Sequence, residues 1–78
     1  MSVIWIEHKG ILRKREVYES MPGVYIMHSK GRQYWFRKDR HVLTNFGWNE
    51  INGNPRLPQE YFGQIARQLE AFELGKKK

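Results

Sequence analysis

The clearest alternation of apolar and polar positions runs from Val24 to Lys38. Two runs of aromatic and β-branched residues flank the sequence Ser29-Lys30-Gly31-Arg32. This arrangement predicts a β-hairpin, because Gly31 can adopt the positive φ that a tight two-residue turn requires. One face of that hairpin would carry Tyr25, Met27, Tyr34 and Phe36. The other face would carry Val24, Ile26, Trp35 and Arg37. The first face is typical of a core, and the second is either a half-buried layer or an exposed binding surface.

Further strands are predicted on both sides of this hairpin. Segments 3–7 and 11–19, joined by His8-Lys9-Gly10, form an earlier hairpin whose register stays open, because its second arm lacks clean alternation. Ser20-Met21-Pro22-Gly23 predicts a turn, since Pro22 fixes φ and Gly23 tolerates the left-handed region. The segment from His41 to Phe46 is a candidate fifth short strand.

The last third of the chain combines a turn-rich loop with a helix. Residues 45–58 contain four Asn, two Gly and two Pro, a composition of consecutive turns. Pro58 suits the first turn of a helix, and Gly75 is a typical stop. Between them, apolar residues recur at three- and four-residue intervals: Phe62, Ile65, Leu69 and Phe72. We therefore predict a helix over about 58–74 whose apolar stripe packs on the sheet while its other face is polar.

These elements predict an α+β fold, with one C-terminal α-helix packed on a small, curved antiparallel sheet of four to five strands that can close toward a barrel. We expect a single compact domain over residues 1–75, with strands within about 2–46, and a basic tail over 76–78. The chain has 78 residues. At this size only about 60% of the unfolded chain's surface becomes buried, so we expect no deep substrate cavity.

Positive charge is concentrated in the predicted strands. The chain carries 14 Lys and Arg against 8 Asp and Glu, a formal charge of +6. Residues 1–40 carry +5, residues 41–75 carry −2, and the last three lysines add +3. A strongly basic strand region beside an acidic helix region favours binding to nucleic acid, DNA more than RNA, through counterion release from phosphates.

The candidate nucleic-acid-binding residues are cations interleaved with aromatic side chains. They are Arg13, Lys14, Arg15, Lys30, Arg32, Trp35, Arg37, Lys38, Arg40 and Arg56. Trp35 or residues of the turn-rich loop would add selectivity, and Arg56 could reach a guanine. The same pattern also arises for structural reasons, because Lys and Arg protect strand edges and strand aromatics usually belong to a core.

A second functional class is equally compatible with the small size of the chain. A protein-binding accessory factor, such as a corepressor or an inhibitor of an intracellular complex, would use Ile26, His28, Trp35 and Trp48. Trp48 fits a core cap better than an exposed anchor. Exposed aromatics inside the basic face would favour nucleic acid, and aromatics away from it would favour a protein partner.

Catalysis is not expected from these residues. The sequence contains neither a Gly-rich phosphate loop nor a metal-binding His pair at helical spacing, and it has no Cys. We therefore expect no cofactor and no metal. A small basic ribonuclease would need His8, His28 or His41 to meet a basic side chain in one cleft, and the three lie in different segments.

Two short segments resemble a known DNA-binding module. Met21-Pro22-Gly23-Val24-Tyr25-Ile26, followed by Tyr34-Trp35-Phe36-Arg37-Lys38-Asp39, resembles the arm-site DNA-binding domains at the N-terminus of some tyrosine recombinases. The resemblance implies a three-stranded sheet with a C-terminal helix. It covers under a quarter of the chain, and the additional N-terminal strands depart from that pattern, so no residue role is transferred.

The sequence also bears on location and partners. Its longest uninterrupted apolar run, Val3-Ile4-Trp5-Ile6, is far shorter than the ~18 residues that a membrane span needs. We expect a cytoplasmic protein with no membrane partner, whose partner is nucleic acid or a nucleic-acid-bound protein. The sequence leaves open whether it forms a homodimer.

Overall fold

A computed structural model describes residues 2–51 and 57–76. Five antiparallel strands form one curled, half-barrel sheet in sequence order, and one helix packs on it, which confirms the predicted α+β class. The strands are β1 (Ser2–His8), β2 (Ile11–Met21), β3 (Val24–Ser29), β4 (Arg32–Lys38) and β5 (Trp48–Glu50). The helix is α1 (Gln59–Lys76). Within the described ranges, no helix is both long and apolar enough to cross a membrane.

Two Lys-Gly turns define the two hairpins. Lys9 and Gly10 connect β1 to β2, Lys30 and Gly31 connect β3 to β4, and all four residues have positive φ. This is the geometry of a type I′ turn, whose twist matches that of the paired strands. The two faces predicted for the second hairpin are confirmed, because Tyr25 pairs with Phe36 and Ile26 with Trp35, and the first hairpin pairs His8 with Ile11.

The sheet curls where β2 and β3 change register. The pairing shifts between Glu19 and Met21, so one extra residue is inserted into β2. A bulge of this kind bends its strand and increases the local twist. The bend lets the sheet wrap around α1, so one face is concave and the other convex.

The core lies between α1 and the concave face of the sheet. Its sheet side consists of alternate strand residues, all at most 3% exposed: Ile4, Val17, Tyr25, Met27, Phe36 and Trp48. Ile65, Ala66 and Leu69 meet them from the helix, with Phe62 and Phe72 packed alongside. The predicted apolar stripe and the predicted core face of the second hairpin are therefore both confirmed.

The fifth strand does not lie in the segment 41–46 but at Trp48–Glu50, where it pairs with β4. The intervening chain cannot form a strand, because Asn45, Phe46 and Gly47 all have positive φ. Gly47 is required at this turn, since a Cβ there would approach the Asp39 carbonyl oxygen to 3.0 Å. The turn brings Trp48 back to β4 with its side chain in the core.

The helix extends past its expected stop. Gly75 lies inside α1, which continues to Lys76, so Lys76 is not part of a free tail. Its ammonium group forms ion pairs with Glu19 of β2 and with Glu73, and lies 5.4 Å from the centre of the Tyr25 ring. Lys77 and Lys78 lie outside the described residues, as do 52–56 of the predicted loop.

Candidate nucleic-acid interface

The strand register divides the predicted site residues between two faces of the sheet. Side chains alternate along each strand, so every second residue counted from a core residue points to the concave side. On β2, the residues that point to the concave side include Arg13 and Arg15, which pair with Ile6 and Ile4 of β1. Lys14 lies between them and faces the convex side, opposite Trp5. The basic run Arg13-Lys14-Arg15 therefore supplies cations to both faces.

An open cavity of about 350 Å³ lies on the concave side, beyond the part that α1 covers. Its lining is Ile6, His8, Arg13, Arg15, Met27, Ser29, Lys30, Tyr34, Leu57 and Tyr61. Three of these residues are cations, and no carboxylate is found among the described residues that line it. We call this space the basic cavity.

Arg15 is held against the wall of the basic cavity by two hydrogen bonds. Its Nε donates to the Ser29 hydroxyl at 3.0 Å, and its Nη1 donates to the Lys14 carbonyl oxygen at 2.8 Å. The side chain is half-buried, unlike that of the exposed Arg13. A guanidinium group has five N–H donors, so these two bonds leave others available to an anion. Arg15 is thereby positioned before any ligand arrives.

Two tyrosines contribute aromatic rings to the same cavity. Tyr34 of β4 is half-buried and packs against the edge of the core. Tyr61, in the first turn of α1, forms a hydrogen bond between its hydroxyl and Nδ1 of His8. The rings of Tyr61 and His8 also meet edge to face, with centroids 5.3 Å apart. These contacts tie the start of the helix to the end of β1 and fix the Tyr61 ring.

Sequence reasoning did not select either tyrosine as a site residue. Tyr34 was assigned to the core face of its hairpin, which is correct but incomplete, because that face continues past the helix. Tyr61 precedes Ile65 by four residues, so helical spacing puts it on the sheet side of α1. That spacing was the available signal, but the position of the cavity depends on how α1 crosses the sheet.

The other predicted cations lie outside the basic cavity. Arg32 is exposed and pairs with Ser29 beside the second turn. Arg37 lies on the convex face, paired with Val24 and Asn49. Arg40 is exposed in the turn that follows β4, and Arg56 lies outside the described residues.

Lys38 is engaged within the protein. Its ammonium group forms an ion pair with Glu70 of α1 and donates a hydrogen bond to the Phe46 carbonyl oxygen. It also lies 5.6 Å from the centre of the Trp48 ring. Glu70 additionally accepts a hydrogen bond from the Trp48 indole at 3.1 Å. Lys38 therefore fastens the helix to β4, and its charge is largely compensated.

The convex face carries the residues proposed for a protein partner, except Trp48. Ile26 lies between its cross-strand partners Tyr18 and Trp35 and is only 3% exposed. His28 stacks on Tyr18 with ring centroids 5.6 Å apart. Trp48 is 1% exposed and belongs to the core, as the sequence predicts. It cannot reach a partner unless the fold opens.

Aromatic residues thus occur on both faces, with different charges around them. On the convex face, Trp5 is 49% exposed and Tyr18 is 37% exposed. The charged residues of that face on β1 to β4 are Glu7, Lys14, Glu16 and Arg37, which balance one another. In the basic cavity, the tyrosines lie beside three cations, and the described residues of the lining include no carboxylate.

The three histidines do not converge. His8 lies at the basic cavity, His28 on the convex face, and His41 in the turn after β4. In the described part of the chain, no group of three or more His, Asp or Glu side chains is arranged to hold a metal ion.

No family model, curated protein or solved structure matches the chain. The resemblance to arm-site domains therefore gains no support from these comparisons, and the sheet has five strands instead of the three that it implies.

Proposed function

We propose that this protein binds nucleic acid through the basic cavity and does not act on it chemically. One observation carries the proposal: Arg13, Arg15 and Lys30 line the same cavity as the rings of Tyr34 and Tyr61, with no carboxylate from the described residues among them. Cations meet phosphates, and aromatic rings meet bases. Aromatic rings inside a basic surface favour nucleic acid; these two rings are half-buried, and the more exposed Trp5 and Tyr18 lie on the convex face.

Phosphate contacts supply most of the affinity in this proposal. Each cation that neutralises a phosphate releases condensed counterions, so affinity falls linearly with salt on a double logarithmic plot. Contacts of this kind position the protein without reading sequence. The proposal includes a preference for DNA over RNA and a cytoplasmic location, both of which are predicted from the sequence.

Fluorescence anisotropy tests the proposal directly. Labelled duplex DNA, single-stranded DNA and RNA are titrated with the protein at several salt concentrations. We expect saturable binding whose log affinity falls steeply with log salt, and tighter binding to DNA than to RNA of the same sequence. Absence of binding to every polymer at low salt would overturn the proposal, and cleavage of a probe would overturn its non-enzymatic part.

A matched pair of charge reversals locates the interface. Arg13→Glu changes the basic cavity, whereas Arg37→Glu makes the same chemical change on the convex face. We expect the first variant to bind about ten-fold more weakly at low salt and the second to bind nearly normally. Equal weakening by both would mean that net charge, and not the cavity, drives binding.

The convex face supports a second candidate function, a protein-binding accessory role. The supporting observation is that the exposed Trp5 and Tyr18 and the half-buried Trp35 lie amid balanced charges, which resembles the centre of a protein interface more than a phosphate-binding surface. If the polymers fail to bind, Trp5→Ala and Trp35→Ala become the informative variants in tests against protein partners. Partner binding that survives both substitutions would exclude this face.

A further inference from the structure

We infer that the basic cavity takes a single unpaired, unstacked nucleotide, so that the protein recognises single-stranded or locally unpaired nucleic acid in preference to a continuous duplex. The inference rests on the proposed function and adds the structural class of the polymer. It follows from the shape of the cavity, the position of its cations and the position of its rings.

The shape of the surface favours an unpaired nucleotide. Proteins that read duplex DNA in the major groove commonly insert a convex element there, a helix or a two-stranded ribbon. Here the helix is committed to the concave side of the sheet, where it buries Ile65, Ala66 and Leu69. The cations line a hollow beside it. A hollow of about 350 Å³ is in the range of small-ligand pockets, and it suits one nucleotide turned out of its stack.

The cations are arranged at two depths. Arg15 is half-buried and held by Ser29 and the Lys14 carbonyl, whereas Arg13 and Lys30 are exposed. Phosphates of a stiff duplex would meet the exposed cations first. A flexible single strand can follow the wall inward and place a phosphate against Arg15 as well, where a guanidinium group can bind two oxygens at once.

The rings of Tyr34 and Tyr61 also favour an unpaired base. A base inside a duplex already stacks on its neighbours, so it has no free face for Tyr34 or Tyr61. An unstacked base has two free faces, and stacking on an aromatic side chain stabilises it without regard to sequence. The hydrogen bond between Tyr61 and His8 fixes one ring in advance, which lowers the entropy that binding must lose.

Three probes test the inference by anisotropy. The first is an oligothymidine of about 16 nucleotides, the upper end of the usual site size for one single-strand-binding domain. The second is a fully paired hairpin duplex, and the third is the same duplex with one bulged thymidine. We expect the oligothymidine and the bulged duplex to bind about ten-fold more tightly than the paired duplex. Equal affinity for all three, or tighter binding to the paired duplex, would overturn the inference.

Ring substitutions separate stacking from charge. Tyr61→Leu removes the ring, and Tyr61→Phe keeps it while losing the bond to His8. Loss of a stacking ring should weaken binding to the oligothymidine by about 5- to 100-fold, with a much smaller effect on the paired duplex. Trp35→Leu, on the convex face, is the matched control and should leave both affinities nearly unchanged. Circular dichroism checks that each variant is folded, and Tyr34→Leu provides a second test if Tyr61→Leu does not fold.

The outcomes distinguish this inference from the proposed function. If Arg13→Glu weakens binding while Tyr61→Leu and Tyr34→Leu do not, nucleic-acid binding stands and the nucleotide pocket is rejected. If no probe binds, both are rejected. Selective loss of affinity for unpaired probes in the tyrosine variants establishes the pocket.

Discussion

The side-chain amide of Gln68 forms two hydrogen bonds with the main chain of Trp5. Its Oε1 accepts from the Trp5 N–H at 2.8 Å, and its Nε2 donates to the Trp5 carbonyl oxygen at 2.6 Å. Gln64, one helical turn earlier, makes the same pair of bonds with Glu7, at 2.7 and 3.0 Å. Because β1 is an edge strand, these main-chain groups would otherwise be open to pairing with another chain. The helix therefore covers the edge much as a further strand would.

We predict that Gln68→Ala lowers the free energy of unfolding by about 1–2 kcal/mol, because each of its two hydrogen bonds with Trp5 contributes roughly 0.5–1.5 kcal/mol. Urea denaturation measures the change. Arg67→Ala, at the adjacent exposed helix position, is the control and should change stability by less than about 0.5 kcal/mol. Equal effects of the two substitutions would show that the amide bonds contribute nothing measurable.

The double variant Gln64→Ala/Gln68→Ala should also self-associate, because it uncovers the β1 edge. Light scattering coupled to size-exclusion chromatography measures the mass across a concentration series. A variant that stays monomeric wherever the original protein does would contradict the protective role of the two glutamines.

Substitution by alanine should change the stability of the fold in opposite directions at two glycines. Gly47→Ala should destabilise the fold by about 1–3 kcal/mol, since it forces a side chain into a positive φ and against the Asp39 carbonyl oxygen. Gly63→Ala should stabilise it by up to about 1 kcal/mol, because alanine favours the helix and the new Cβ would lie 4.0 Å from Asn45 Oδ1, an ordinary contact. Thermal unfolding of both variants measures the direction of each change in stability. A destabilised Gly63→Ala variant would mean that this part of α1 packs more tightly than its geometry indicates.

Substitution of Lys38 should affect mainly stability, whereas substitution of Arg15 should affect mainly nucleic-acid binding. Lys38→Ala removes the ion pair with Glu70 and should cost about 1 kcal/mol of stability, with little change in the salt dependence of nucleic-acid binding. Arg15→Ala should reduce the slope of log affinity against log salt by about 1, which corresponds to one lost phosphate contact. Anisotropy at several salt concentrations, together with urea denaturation, measures both. A reduced slope in Lys38→Ala would place phosphate near the helix and not in the basic cavity.

The ion pair between Glu19 and Lys76 should make stability depend on pH at acid pH. The Lys76 ammonium holds the pKa of Glu19 below its ordinary value of 4.5, and Glu19 raises the pKa of Lys76 above its ordinary 10.5. The contribution of Glu19 is therefore present above about pH 4.5 and is lost as pH falls through its lowered pKa. The contribution of Lys76 is fully present below pH 10.5 and is lost only above it.

An NMR titration of the Glu19 carboxyl group tests this ion pair. In Lys76→Met the midpoint should rise back toward 4.5, and the loss of stability below that pH should become shallower. Glu73→Gln is a useful comparison, because Glu73 also contacts Lys76 but lowers the Glu19 pKa less than Lys76 does, so the midpoint should move less. A midpoint that does not move in Lys76→Met would contradict a pair formed in solution.

Local signals in the sequence predict the elements of this fold because each is set by a few adjacent residues. The turn at Lys30 and Gly31 and the alternation around it fix the register of the second hairpin, and the spacing from Phe62 to Phe72 fixes the apolar face of the helix. The segment 41–46 was misassigned as a strand because its composition does not reveal that Asn45 and Phe46 adopt positive φ. That turn depends on the hydrogen bond from the Asp39 N–H to the Gly47 carbonyl oxygen, between residues eight positions apart.

The α+β class, the concentration of positive charge in the strands and the residue types able to meet phosphates and bases all follow from local sequence patterns. Which cations share one surface depends on the tertiary structure. The fold placed Arg13, Arg15 and Lys30 around one cavity with Tyr61 and paired Lys38 with Glu70. The physical reason is that these relationships depend on how α1 crosses the sheet. That crossing is fixed by contacts such as Gln68 with Trp5, which are 63 residues apart in the chain and leave no local pattern in it.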